Sequence, residues 1–162
     1  MSNFEIGTLI LQSIVAVAAL ITVFLVIRQV GAMSAQVVAA HQASEVESIL
    51  AIVAFLQRED VRTAREAVRS SLSLSHHTSW DAAQNRHAST VCANYDVVAA
   101  LLRANVIRNQ SIIIDNWAPS ILHCHQILAP FIAAKRKIEG GRDDYWANFD
   151  WLKGVCDQAG RK

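Results

Sequence analysis

The chain of 162 residues has few of the residues that interrupt helices: it contains only two prolines and six glycines. Outside its first 27 residues, it also lacks the runs of Val, Ile and Thr alternating with polar residues that are typical of strands. These two shortages argue against a sheet protein. The remainder is dominated by Ala, Arg, Leu and Gln, and the sequence therefore predicts an all-α fold.

The chain also has few cysteines and no strong excess of basic residues. The three cysteines (Cys92, Cys124 and Cys156) are odd in number and far apart, which excludes a disulfide framework and predicts the reduced thiols of a cytosolic compartment. The 15 Lys and Arg residues are nearly balanced by 14 Asp and Glu residues, whereas a nucleic-acid-binding protein usually carries a strong basic excess. We therefore expect no nucleic acid partner.

Charge is missing altogether from residues 6–27, a run of 22 residues bounded by Glu5 and Arg28. As a helix the run is about 33 Å long, which fits a hydrocarbon core of about 30 Å. A cleaved signal peptide and a buried core helix are the alternatives. Because the leader is acidic and the run is longer than a usual signal core, we predict a retained transmembrane helix in contact with the lipid bilayer.

Basic residues predict the orientation of this helix. No Lys or Arg precedes it, whereas Arg28 follows it at once and all 15 basic residues lie on that side. The positive-inside rule then predicts a single-pass protein of the cell inner membrane, with its N-terminus outside and its C-terminal domain in the cytoplasm.

Residues 28–57 predict that the helix continues beyond the membrane, since they contain no proline and one glycine. We divide the chain into a transmembrane helix at 6–27, a juxtamembrane and first bundle helix at 28–57, and a helical bundle body at 58–158.

A stripe of small side chains recurs every four residues along the juxtamembrane helix: Gly31, Ala35, Ala39 and Ala43. Small residues at this spacing let a second helix approach closely. The stripe either mediates self-association next to the membrane or packs against other helices of its own domain.

A stripe of arginines follows on the predicted second helix, at spacings of four, three and four residues: Arg58, Arg62, Arg65 and Arg69. One interpretation is a site for a phosphate, a lipid headgroup or an acidic partner. The alternative is a solvated face, partly balanced by Glu59 and Glu66, which lie three residues before two of the arginines.

Caps and helix breakers predict the remaining helices. Asp60, Asp81 and Asp143 are candidate N-caps of three of them. A further helical stretch at 111–138 contains Pro119, which predicts either a break into two helices or a kink within one helix, and we favour the break. The result is an N-terminal transmembrane helix that continues into a cytoplasmic bundle of four to five helices.

His123, Cys124 and His125 look like a metal site at first sight. On a helix, neighbours two residues apart point to different sides, so the two histidines cannot hold one ion together. The cysteines lie on predicted apolar faces, which favours buried structural thiols over nucleophiles. We therefore expect no metal, no cofactor and no catalytic residue.

Three blocks of sequence stand out: 55–65, 92–99 leading to Trp117, and 144–152, where a Tyr-Trp-x-x-Phe-acid-Trp-Leu cluster is the most specific. These blocks resemble the domain of unknown function 4760 family. The resemblance implies bacterial or phage proteins with an N-terminal membrane helix and a small helical body. It implies no activity, and it transfers no functional residues.

The leading prediction is a non-enzymatic interaction or assembly module at the inner membrane, which forms a homo-oligomer through its anchor and the Gly31–Ala43 stripe. The alternative is a sensor or effector in a stress or phage response, which binds an anionic ligand through the Arg58–Arg69 face. The sequence leaves the identity of any protein partner open.

Overall fold

The computed structural model describes residues 3–107, 109–138 and 142–161, with side chains in the first helix given at 15, 17 and 18 and from Leu20 onward. The α-helices, in chain order, are α1 Asn3–Gln57, α2 Glu59–Ser70, α3 Ala82–Arg103, α4 Ser111–Arg136 and α5 Ala147–Ala159. Two single-turn 3₁₀ helices, Leu72–Leu74 and His77–Ser79, lie between α2 and α3. These ranges contain no strand, and the predicted all-α fold is confirmed.

The chain divides into two compact units, Met1–Ser44 and Glu45–Lys162. In the first unit, every described side chain is exposed, including the small residues Gly31, Ala35, Ala39 and Ala43. By its length and composition α1 can cross a membrane, and among the described residues it is the one helix that can. Of the predicted span 6–27, the side chains at 6–14, 16 and 19 lie outside the described set.

The second unit is built around one hydrophobic core to which every helix contributes. Its largest fully buried side chains are Tyr95, Phe131 and Phe149, from α3, α4 and α5 respectively. The Tyr95 and Phe149 rings stack with their centroids 5.1 Å apart. Burial of such aromatic side chains removes a large apolar area from water, and this drives the three helices together.

The N-cap predicted from the sequence is correct for α3 and wrong for α2. Asp81 caps α3 as predicted: its carboxylate accepts a hydrogen bond from the Gln84 amide at 2.8 Å, and the Gln84 side chain accepts one from the Asp81 amide at 2.9 Å. The predicted cap at Asp60 is wrong. Asp60 lies inside the first turn of α2 and pairs with Arg58 at 2.8 Å, which satisfies its carboxylate from the preceding loop.

The predicted break at Pro119 is wrong, because α4 continues through both Pro119 and Pro130. The prolines are eleven residues apart, or about three turns, and therefore lie on the same face of the helix. Both are exposed, as are Asp115 and Gln126, whose carbonyl oxygens lose their usual amide partners. Because these carbonyl oxygens lie on an exposed face, water can hydrogen-bond to them. The opposite face of α4 is packed in the core, so the helix continues through both prolines.

The last helix begins later than predicted, at Ala147, and Asp143 does not cap it. Trp146 occupies the N-cap position in a left-handed conformation (φ 56°) and supplies no side-chain hydrogen bond. The cap comes from α3 instead. The Asp96 carboxylate accepts hydrogen bonds from the amides of Asn148 at 2.9 Å and Phe149 at 3.1 Å. From the sequence, the glycine pair 140–141 is also expected to end the helix before α5, and this pair lies outside the described residues.

We expect Asp96→Ala to lower the free energy of unfolding by about 1–2 kcal/mol, because two amides at the start of α5 lose a charged acceptor. Asp143→Ala is the matched control, since Asp143 is exposed and caps nothing. Urea denaturation of the detergent-solubilised chain, followed by tryptophan fluorescence, measures both. Equal losses for the two variants would show that the Asp96 cap is not what secures α5.

Candidate functional site

The four arginines of the predicted stripe lie in different environments. Arg58, Arg62 and Arg69 are exposed, whereas Arg65 is only 5% exposed. Arg65 lies on the buried face of α2, between Val61 and Val68. It therefore takes a position in the three-four pattern that an apolar residue would normally hold.

The Arg65 guanidinium lies over the indole ring of Trp117 on α4, with its central carbon 4.7 Å from the ring centroid. This cation–π contact explains how the side chain is tolerated inside the body. Its Nη1 is nevertheless buried and makes no hydrogen bond. None of the five ion pairs within the described ranges includes Arg65.

Neighbouring acids do not balance this charge. The Tyr95 hydroxyl hydrogen-bonds to Ser120 at 2.9 Å. Burial raises the pKa of Tyr95 to about 12, although the charge of Arg65 and the hydrogen bonds to Ser120 and Arg65 lower it, so the phenol is neutral at pH 7. Burial also raises the pKa of the Cys124 thiol, and the charges of Arg69 and Arg65 offset only part of this effect. Arg65 thus carries a buried charge that no ionised group of the described chain neutralises by an ion pair.

An open cleft of about 450 Å³ lies beside Arg65. Its lining combines polar and apolar side chains: Val53, Gln57, Arg65, Arg69, Ile112, Asn116, Trp117 and Ser120. Arg69 is held at this site by a hydrogen bond from its Nε to the Arg65 carbonyl at 3.3 Å. Two guanidinium groups and no carboxylate line the cleft, which makes it electrostatically suited to an anion.

Arg58 belongs to a different cleft, of about 680 Å³, together with Glu59, Asp60, Thr63, Arg86, His87 and Thr90. Acidic and basic side chains both line this cleft, and the Arg58 charge is already paired with Asp60. Arg62 lines neither cleft. The structure therefore brings Arg65 and Arg69 together but not all four arginines of the stripe.

Three residues that line the cleft were not predicted as site residues from the sequence: Trp117, Ile112 and Asn116. They come from α4, and no spacing along the chain connects them to α2. The available signal was Arg65 itself, because a charged residue at an apolar position of a helical pattern needs a partner or a function.

His123 and His125 point to different sides of α4, as predicted. His123 is exposed, whereas the His125 Nε2 contacts the Asp150 carboxylate at 2.7 Å. Arg136 reaches the other oxygen of Asp150, also at 2.7 Å. Partial burial raises the pKa of Asp150, but the hydrogen bonds from His125 and Arg136 outweigh it and lower that pKa below its ordinary value. This cluster is internally satisfied and leaves little capacity for a ligand.

The three cysteines are buried and free, which confirms their predicted environment. Burial raises the pKa of Cys92 well above its ordinary value, and it raises the pKa of Cys156 to about 11. Because the thiolate is the nucleophilic form, these thiols are unreactive at neutral pH while the body is folded. Across the described residues, no group of three or more His, Cys, Asp or Glu is placed to hold a metal ion.

These features define an all-helical protein with one long apolar N-terminal helix and a body that encloses a basic cleft. The chain belongs to the domain of unknown function 4760 family, whose sequence pattern matches residues 12–154. The resemblance of the three sequence blocks is thereby confirmed. No curated protein and no solved structure matches the chain.

We expect Arg65→Met to change the free energy of unfolding by less than about 1 kcal/mol, because the lost cation–π contact is offset by removal of an unsatisfied buried donor. Arg136→Met is the matched control. It breaks hydrogen bonds to Asp150 and to the Tyr145 carbonyl, and should cost about 1–3 kcal/mol. Urea unfolding measures both variants. A large loss for Arg65→Met would identify Arg65 as a structural residue.

Proposed function

We propose that this protein is a non-enzymatic module, tethered to the membrane by α1, whose body binds an anionic ligand in the cleft beside Arg65 and Arg69. The observation that carries the proposal is the buried Arg65 guanidinium with an unpartnered Nη1. This is the sensor or effector interpretation of the arginine stripe, restricted to two of its four residues.

Physical chemistry supports this interpretation. A buried donor without an acceptor destabilises a folded protein, because it loses its hydration and gains no hydrogen bond in return. An anion in the cleft would lie beside the Arg65 and Arg69 guanidinium groups, and hydrogen bonds between such groups and an anion are short and charge-assisted. The contact with Trp117 holds the guanidinium group in place at the wall of the cleft. The site is therefore organised before the ligand arrives.

The test is a titration of the detergent-solubilised full chain with inorganic phosphate, followed by ³¹P NMR. We expect Arg65→Met to weaken binding by at least about tenfold, since it removes the charge and the donor but keeps an unbranched apolar stem. Arg62→Met, on the same helix but outside the cleft, should bind as the wild type does. Binding that falls equally in both variants would indicate attraction to the overall charge and would contradict the proposed site.

A second proposal is self-association through α1. Between Arg28 and Glu45 there is no Asp, Glu, Lys or Arg, and every side chain is exposed, including Val30, Met33 and Val37. An isolated helix of this composition is poorly stable in water and gains stability when its apolar side chains are covered. A second copy of the chain suits this surface, because the absence of charge removes repulsion between identical helices.

We expect Ala35→Leu with Ala39→Leu to reduce oligomer size in detergent, because the larger side chains force the paired helices apart. Met33→Leu with Val37→Leu is the control on the opposite side of the helix, where leucine changes little in volume. Sedimentation or light scattering gives the mass of each species. An unchanged mass for the Ala35 and Ala39 variant would remove this mechanism.

We also propose that the N-terminus lies outside the inner membrane and the body in the cytoplasm. The support is the position of Arg28 and of all other basic residues after the apolar run. Protease treatment of intact spheroplasts should remove an N-terminal tag and spare a C-terminal one. The reverse pattern would invert the proposed orientation.

A further inference from the structure

We propose that the cleft beside Arg65 binds a phosphate monoester that carries an apolar or aromatic group. This inference rests on the proposed anion-binding function and specifies the chemistry of its ligand. Three properties of the cleft support it: the number of charged side chains, the presence of both polar and apolar side chains in the lining, and the volume.

The two positive charges of the lining favour a ligand with two negative charges. Arg65 and Arg69 are the two charged side chains of the lining, and no acidic residue opposes them. Arg65 lines the cleft and its buried Nη1 has no hydrogen-bond partner among the described residues, whereas Arg69 uses its Nε for the Arg65 carbonyl and keeps its terminal nitrogens for a ligand. A phosphate monoester carries a charge of about −1.5 to −2 at pH 7 and has three acceptor oxygens, which match two guanidinium donors. A carboxylate or a phosphate diester brings a single negative charge.

The lining has two parts. Its polar side chains besides the arginines are Gln57, Asn116 and Ser120, and its apolar ones are Val53, Ile112 and Trp117. The apolar side chains come from α1 and α4 and are half-buried (Val53 and Trp117) or 39% exposed (Ile112), so a ligand can cover them. An inorganic ion would leave this apolar area in contact with water, whereas an attached organic group would remove it.

The volume supports an organic ester over a bare ion. The cleft of about 450 Å³ falls within the range of about 300–1,000 Å³ that is common for small-molecule sites. One phosphate group fills only a fraction of this space. We therefore expect the cleft to have space for an organic group such as a phenyl ring on the ester oxygen, in addition to the phosphate.

The experiment compares three probes on the detergent-solubilised full chain by ³¹P NMR titration: phenyl phosphate, inorganic phosphate and methyl phenyl phosphate. We expect phenyl phosphate to bind at least about tenfold more tightly than inorganic phosphate, since it buries the apolar lining. It should also bind more tightly than the diester, which has lost one negative charge. Arg65→Met should abolish these differences, and Arg62→Met should preserve them.

Two further variants separate the parts of the cleft. Arg69→Gln removes the second charge at an exposed position, and should weaken the monoester more than the diester. Ile112→Asn replaces an apolar lining residue that is 39% exposed, and should lower the affinity for phenyl phosphate while leaving that for inorganic phosphate unchanged. Because both residues are at the surface, the variants keep the proposal testable even if Arg65→Met does not fold.

The possible outcomes test the phosphate monoester class separately from the proposed anion-binding function. If inorganic phosphate binds as tightly as phenyl phosphate and both depend on Arg65, the anion site stands and the monoester class is overturned. If no probe shows binding that depends on Arg65 or Arg69, both are overturned. A parallel arm uses vesicles containing phosphatidic acid, a lipid monoester, against vesicles containing phosphatidylglycerol, a diester. Preference for the former identifies a lipid as the source, whereas binding of phenyl phosphate alone identifies a soluble ester.

Discussion

The hydrogen bonds from the first amides of α5 to the Asp96 carboxylate determine where the last helix begins, and much of the body depends on them. Trp146 provides no side-chain cap, and without the Asp96 carboxylate the Asn148 amide in the first turn of α5 would lack its acceptor. The adjacent residue on α3, Tyr95, packs on Phe149 of α5 and hydrogen-bonds to Ser120 at the cleft. Two successive residues of α3 thus connect the start of α5 to the wall of the candidate site.

Local signals predicted the fold well, and tertiary context explains where they failed. The capping box at Asp81 is a property of four consecutive residues and could be read directly. The cap of α5 comes from Asp96, about 50 residues earlier in the chain, and no local rule identifies it. Pro119 is a helix breaker in isolation, but on an exposed helix face its unpaired carbonyl partner meets water and the packed face holds the helix together.

Only part of the candidate site could be predicted from the sequence. Spacing identified a row of arginines on α2, but spacing treats all four as equivalent. Packing against α4 distinguishes them, since it buries Arg65 over Trp117 and leaves Arg62 in solvent. The polarity of α2 was therefore predictable, whereas the identity of the buried arginine depends on contacts between helices that are distant in sequence.

The three buried thiols give the body a set of internal reporters. Cys92, Cys124 and Cys156 lie on α3, α4 and α5, one in each helix, and all are free. A thiol that reacts only when its helix opens converts the rate of chemical labelling into a local opening equilibrium. Mass spectrometry of an alkylated sample would consequently follow the loosening of each of these three helices separately, without any engineered probe.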